Sequence, residues 1–204
     1  MLRWFIIDLV YFLVIILGGL YISYITRKLY SLSSHPGLNY FSKAFFFLSF
    51  GFVFRYLKLF SYDILTQIAI IYFISMFGFY LAFSLIWKDF EKKKKKELIL
   101  HIVAITISVV NLYYYYFFFI IIGSVLAYVI IITYSNYKIR KNLLMQMFFI
   151  SLFFAAISFM LNFLSIILLP IVRIFWVYSY LVDVIAVLVL VIGVYFVWQK
   201  KGKD

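Results

Sequence analysis

The chain has 204 residues, 68% of them hydrophobic and 13% charged, with no cysteine and a formal net charge of +12. Soluble domains carry about 25% charged residues, so this composition belongs to a bilayer and excludes a water-soluble globular fold. Without cysteine there are no disulfides, thiolate metal sites or cysteine nucleophiles, and because nearly all cations flank apolar stretches, the basicity reads as membrane topology, not as nucleic-acid binding.

A membrane helix needs about 20 mainly apolar residues. By that measure the sequence predicts an all-α, polytopic membrane protein, a single seven-helix transmembrane domain over residues 1–204. The spans fall at roughly 4–25, 44–62, 64–87, 98–112, 115–134, 143–169 and 174–198. The first lacks a small-residue cleavage pattern and is longer than the roughly 7–15 residues of a signal-peptide core, so it reads as a retained span. The following stretch, Thr26 to Lys43, holds Ser-Leu-Ser-Ser-His-Pro-Gly and reads as a loop whose Pro36 and Gly37 end a helix. Ser61-Tyr62-Asp63 reads as a tight turn between the second and third spans. The abundant Phe (26) and Tyr (19) are expected mainly as lipid-facing bulk.

Lys88 to Glu97 is the most charged stretch of the chain, with five consecutive lysines, Lys92, Lys93, Lys94, Lys95 and Lys96. Such a run resists translocation and is expected on the cytoplasmic side. It could contact anionic lipid headgroups, at about 1 kcal/mol per cation near the surface, or an acidic cytoplasmic protein partner, or serve only to fix topology. It lacks the interleaved aromatics of a nucleic-acid surface.

From Leu98 to Tyr134 the chain carries no formal charge. As one helix this stretch would extend about 55 Å against a hydrocarbon thickness of about 30 Å, so it must fold back. The predicted reversal is Asn111-Leu112-Tyr113-Tyr114, opening a tyrosine belt suited to headgroups. Seven spans with the N-terminus outside and the C-terminus cytoplasmic put 15 of the 19 basic residues inside, whereas a single helix here would leave 10 inside and 9 outside. The positive-inside rule favours seven.

Two segments suggest an internal repeat in a three, one, three arrangement: Gly19 with Ser23 in the first span and Gly123 with Ala127 in the fifth are small-xxx-small pairs, each leading through basic residues into a Phe-rich span. Small residues at helix contacts are also general packing devices.

Ionisable side chains inside a membrane are costly and rarely face lipid, which makes them candidates for function. Asp8 lies about a turn into the first span, Arg55 and Lys58 share a face of the second, and Asp183 sits well inside the seventh. Arg55 and Asp183 are at matching depth and are expected either to bind a ligand or ion or to form a structural pair, with Asp8 and Lys58 nearer the outer surface. Polar stripes accompany them: Ser151, Ser158, Asn162 and Ser165 in the sixth span, and His101, Ser108 and Asn111 in the fourth. Gln67 and Tyr72, with Tyr178, Ser179 and Tyr180, complete the interior candidates. No cofactor is expected, since His35 and His101 carry no pattern of an axial haem pair and no lysine precedes Lys200 in the last span for a retinal Schiff base. Nucleophile, phosphate-loop and zinc motifs are absent, so no catalytic residues are assigned.

The opening pattern, Tyr-Ile-Ser-Tyr-Ile-Thr-Arg-Lys from Tyr21, Gly-Leu-Asn-Tyr-Phe from Gly37, Ala-Phe-Phe-Phe-Leu-Ser-Phe-Gly from Ala44, and Arg55, resembles the first helices of uncharacterised prokaryotic, especially archaeal, seven-helix membrane proteins. In outline it is also similar to the seven-helix input regions of sensor kinases. The resemblance covers about a sixth of the chain. It implies a receptor-type protein in the cell membrane. With no output domain expected after Trp198, any signal would pass to a separate partner. The competing expectation is a small-solute transporter built on the three-helix repeats.

Overall fold

A computed structural model describes residues 2–60, 63–86, 94–113, 115–140, 143–167 and 172–201. Among the described residues seven α-helices follow one another: α1 (Leu2–Ser33), α2 (Pro36–Leu57), α3 (Ile64–Leu85), α4 (Lys94–Tyr113), α5 (Tyr115–Arg140), α6 (Leu143–Ile167) and α7 (Val172–Lys201). Six carry stretches long and apolar enough to cross a bilayer, in α1, α2, α3, α5, α6 and α7, while the apolar part of α4, Glu97–Tyr113, is shorter. The protein is therefore a polytopic, all-helical membrane protein. Helix is the expected solution for such a sequence, because lipid offers no partner for backbone N–H and C=O groups, which an α-helix satisfies within itself.

The chain divides into two compact units, Met1–Val125 and Leu126–Asp204. In the first, α2 packs against both α1 and α3, and α3 against α4; in the second, α6 packs against α7.

The predicted loop over residues 26–43 is not a loop. Helix α1 continues to Ser33 and stops at Ser34, whose φ of 51° lies in the left-handed region. Helix α2 then begins at Pro36, with His35 as its extended N-cap. Proline suits the first helical position, since its missing N–H has no intrahelical partner there and its φ is already helical. Pro36 thus starts a helix here, and the connection shrinks to two residues.

The packing of α1 on α2 follows a spacing of four and three residues. Ile15, Gly19, Ile22, Thr26 and Leu29 are all buried along one line, the near-3.5 repeat of helices that cross at a shallow angle. Small and hydroxylated residues let the backbones approach. A Cβ at Gly19 would collide with Ser49 Oγ and come 3.3 Å from the Phe45 carbonyl oxygen. Ser49 Oγ donates to the Ile16 carbonyl at 3.2 Å, and Ser42 Oγ donates to the Ser23 carbonyl at 2.8 Å. Gly19 and Ser23 are thus packing devices of this seam. The Gly123–Ala127 pair has a different setting, with Ala127 exposed, so the two pairs expected to be equivalent are not used alike.

The aromatics are not only lipid-facing bulk. Phe46 and Phe50 of α2 are exposed, but Phe41, Phe45 and Phe52 are buried. Phe45 meets Phe77 of α3 at 5.6 Å edge-on, and Phe54 stacks on Phe73 at 5.3 Å. Such pairs contribute about 0.5–1.5 kcal/mol each beyond area burial.

Helix α4 is built inside out. Ala104, Ser108 and Asn111 are buried, with Glu97 and His101 half-buried on the same line, whereas Leu98 is 64% exposed, Ile102 55% and Ile105 51%. Apart from the exposed Thr106 and the buried Ile107, polar groups point inward and apolar ones outward. Asn111 therefore does not belong to a headgroup turn as its sequence suggests; it lies within α4, 2% exposed, and the helix runs on to Tyr113. Tyr114, the last residue of the predicted reversal, falls outside the described residues.

Candidate polar sites within the helix bundle

The richest polar cluster lies in the first unit, where α2, α3 and α4 each contribute. Glu97, in the first turns of α4, forms an ion pair with Lys43 of α2, Nζ to Oε1 at 2.8 Å. The same ammonium stands 5.4 Å from the Tyr80 ring centroid and 5.7 Å from that of Tyr40, within range for cation–π attraction. One turn along α4, His101 Nδ1 lies 2.6 Å from Tyr72 Oη. The tautomer sets the donor: an imidazole with Nδ1 bare accepts from the phenol, and one carrying its hydrogen on Nδ1 donates to it. The His101 ring is 6.2 Å from Phe47 and 6.5 Å from Tyr80, and Phe47 stacks on Tyr80 at 5.3 Å.

This cluster unites an acid, a base and an imidazole with aromatic walls, at the end of the unit from which the lysine run departs. Sequence inspection names His101 and Tyr72 as interior candidates but counts Lys43 and Glu97 only as flanking charges. The available signal is their position: Glu97 precedes His101 by four residues and so shares its face, and Lys43 is an isolated cation just ahead of an apolar Phe-rich stretch.

Deeper in the same unit, two buried oxygens, Asn111 Oδ1 and Ser75 Oγ, have no hydrogen-bond partner in the protein. The expected α4 stripe of His101, Ser108 and Asn111 is thus present as one inward line. Ser108 Oγ donates to the Ala104 carbonyl at 2.7 Å.

Of the predicted outer cluster, Arg55 lies at the C-terminal end of α2 with its guanidinium carbon 5.7 Å from the Phe52 ring and 6.0 Å from the Phe12 ring of α1. Asp8, half-buried, is one turn before Phe12 on α1, so Asp8 and Arg55 address the same stretch of the α1–α2 seam. Lys58 is the C-cap of α2, its N–H donating to the Phe54 carbonyl at 3.0 Å. Gln67 lies in the first turn of α3, its backbone N–H donating to the Asp63 carbonyl at 3.2 Å. Asp63 itself caps α3, accepting from the Leu65 N–H.

Asp183 belongs to the second unit, separate from the one that holds Arg55. There the α6 stripe meets Ser179 of α7 in a polar seam, whereas Tyr178, expected in the interior, is 57% exposed. Asn162 Nδ2 donates to Ser179 Oγ at 2.7 Å and to the Ser158 carbonyl at 3.1 Å, and the Ser158 and Ser179 hydroxyls are 3.2 Å apart. Asp183 lies one turn beyond Ser179 on the line that continues through the buried Ala186 and Leu190. Of the lysine run, Lys92 and Lys93 lie outside the described residues, and Lys94, Lys95 and Lys96 are described only as the helical start of α4.

Set against family models, curated proteins and solved structures, the chain matches none. Its class rests on its own helices: a polytopic membrane protein.

Proposed function

We propose that the chain is a cell-membrane protein of receptor type or a membrane subunit of a larger complex, engaging a soluble acidic partner and anionic lipid headgroups at its lysine-rich end. In this reading α4 is the seventh crossing, the N-terminus is outside and the lysine run is cytoplasmic. The observation that carries it is the inside-out build of α4: a helix whose outward face is Leu98, Ile102 and Ile105 is suited to lipid along its length. Its apolar part, Glu97–Tyr113, extends about 26 Å, at the short end of the range for a crossing. The charge balance adds to this, as does the resemblance of the opening helices to uncharacterised prokaryotic seven-helix membrane proteins, which are similar in outline to sensor input regions.

The Lys43–Glu97 pair and the Tyr72–His101 bond fasten the start of α4 to α2 and α3, immediately after Lys92 to Lys96. A partner seated on those lysines would pull on the helix that the cluster holds. Co-purification tests this reading: a soluble partner retained by the native protein should be lost when Lys92 to Lys96 are replaced by Gln. Retention of the same partner by that variant would contradict it.

A second reading, a small-solute transporter with three-plus-three repeats, is favoured by one feature, the buried polar stripe of α4 with its unpartnered Asn111 oxygen. Counterflow uptake by the purified protein in liposomes separates the two. Saturable solute exchange would support transport.

A further inference from the structure

Lys43, Tyr80 and Glu97 mark one level in the first unit, where α2, α3 and α4 meet around the ion pair. From that level to the far ends of their helices, Glu97 to Tyr113 and Tyr80 to Ile64 are each about 24 Å at 1.5 Å per residue. On the lysine-rich side of the level the three helices differ. Helix α3 continues through Leu81, Phe83 and Leu85, and α2 carries Leu38 and Phe41 on the same side of Lys43, whereas α4 has Lys96 immediately before Glu97. The stretches suited to hydrocarbon are therefore 22 residues in α2 and 22 in α3, about 33 Å, against about 26 Å in α4. A hydrocarbon core of about 30 Å lies between those values.

A helix too long for its bilayer adapts by tilting, but a short one cannot, and the mismatch must be met by thinning of the bilayer or by its flanking residues. In this unit thickening bears on α4, since α1, α2 and α3 all have apolar length to spare. The two ends of α4 are held unequally. Five lysines precede Glu97 and favour the anionic headgroups, while the far end is Tyr113, which carries no charge. The lysine end keeps its level and the far end is drawn inward.

We propose that α4 senses the thickness of the bilayer: as the hydrocarbon thickens, α4 follows its lysines towards the cytoplasm along α3, and the Lys43–Glu97 pair and the Tyr72–His101 bond are the latch that this slide opens. The inference rests on the reading of the chain as a receptor with α4 as a membrane crossing, and it names the stimulus. Helix α4 packs on α3, and both bonds lie near its lysine end, at 2.8 and 2.6 Å. A slide of about 3–4 Å carries both pairs past hydrogen-bonding distance, and it is smaller than the difference in apolar length between α4 and its neighbours. The lysine run then stands further into the cytoplasm, which couples the thickness of the bilayer to the surface offered to a partner.

The test uses the purified full chain with spin labels on Leu57→Cys, at the far end of α2, and Leu98→Cys, at the start of α4, two exposed positions that leave the latch intact. It is placed in phosphatidylcholine bilayers with a fixed share of phosphatidylglycerol and chains of fourteen, eighteen or twenty-two carbons. The distance between the labels should lengthen by about 3 Å or more from the thinnest bilayer to the thickest. A control pair joining α2 to α3, on the exposed Phe46→Cys and Ile64→Cys, should hold its distance. Glu97→Gln weakens the latch and should give the longer distance already in the eighteen-carbon bilayer; should it fail to fold, Lys43→Gln should do the same. An unchanged distance in all three bilayers, as when the lysines only snorkel, overturns the proposal. So does an equal change in both label pairs, or a folded latch variant that tracks the native distance throughout. Labelling of Lys92→Cys and Tyr113→Cys from the two sides of the membrane keeps the readings apart. Opposite-side labelling with an unchanged distance removes the thickness response alone, and same-side labelling removes the crossing on which it stands.

Discussion

Lys43 and Glu97, 54 residues apart in sequence, bring the start of α2 and the start of α4 together in a 2.8 Å ion pair beneath the rings of Tyr40 and Tyr80. The two side chains are 36% and 40% exposed, so water screens the pair and its coupling should be small. A double-mutant cycle on Lys43→Ala and Glu97→Gln, followed by thermal unfolding in detergent, is expected to give a coupling of about 0.2–1 kcal/mol. Lys43→Ala should cost more than Glu97→Gln, because it also removes the cation–π contacts, about 0.5–1 kcal/mol at an exposed site. Equal costs would mean that the rings contribute nothing.

The α1–α2 seam is set by close approach at Gly19. A Cβ there meets Ser49 Oγ and the Phe45 carbonyl, so Gly19→Ala should destabilise the unit by about 1–3 kcal/mol. Pairing it with Ser49→Ala removes the collision with the hydroxyl and should recover part of the loss. Thermal unfolding of the two variants in the same detergent measures both effects.

How much of this was legible in the sequence follows from what each feature depends on. Helix number came from hydropathy and the bilayer thickness, both local properties. The extent of α1 did not, because Ser33, Ser34 and Pro36 read as a turn cluster while the fold uses Pro36 as a helix start. The polar stripes of α4 and of α6 were readable as helical spacings, and the bonds of Ser158 and Asn162 to Ser179 follow that reading. The Lys43–Glu97 pair was not readable, since it joins residues on helices with α3 between them, and one chain gives no sign of which cation meets which carboxylate. Asp8, Arg55 and Asp183 were singled out as rare charges in apolar surroundings, and Arg55 finds aromatic rings of its own unit at the α1–α2 seam.

In the second unit the Asn162–Ser179 hydrogen bond, at 2.7 Å, ties α6 to α7. Asn162→Leu removes an interhelical bond of about 0.6–2 kcal/mol and leaves the Ser179 hydroxyl with Ser158, 3.2 Å away. The expected loss is therefore at the lower end of that range. Ser158→Ala combined with Asn162→Leu should lose more than the sum of the two single changes, because Ser179 then has neither partner; simple additivity in thermal unfolding would argue against a shared network.

Tyr72→Phe deletes the phenol that meets His101 Nδ1 and leaves the ring in place. A loss of about 1 kcal/mol is expected, with the imidazole then free to turn. A histidine NMR signal that sharpens or splits in the variant, against a single signal in the native protein, would report that freedom.

The most direct test concerns whether α4 traverses the bilayer. The chain contains no cysteine, so Lys92→Cys and Tyr113→Cys each provide one thiol for a membrane-impermeant maleimide on sealed vesicles of known orientation. The account predicts that Lys92→Cys reacts only from the cytoplasmic side and Tyr113→Cys only from the outside. Reaction of both from the same side would contradict it.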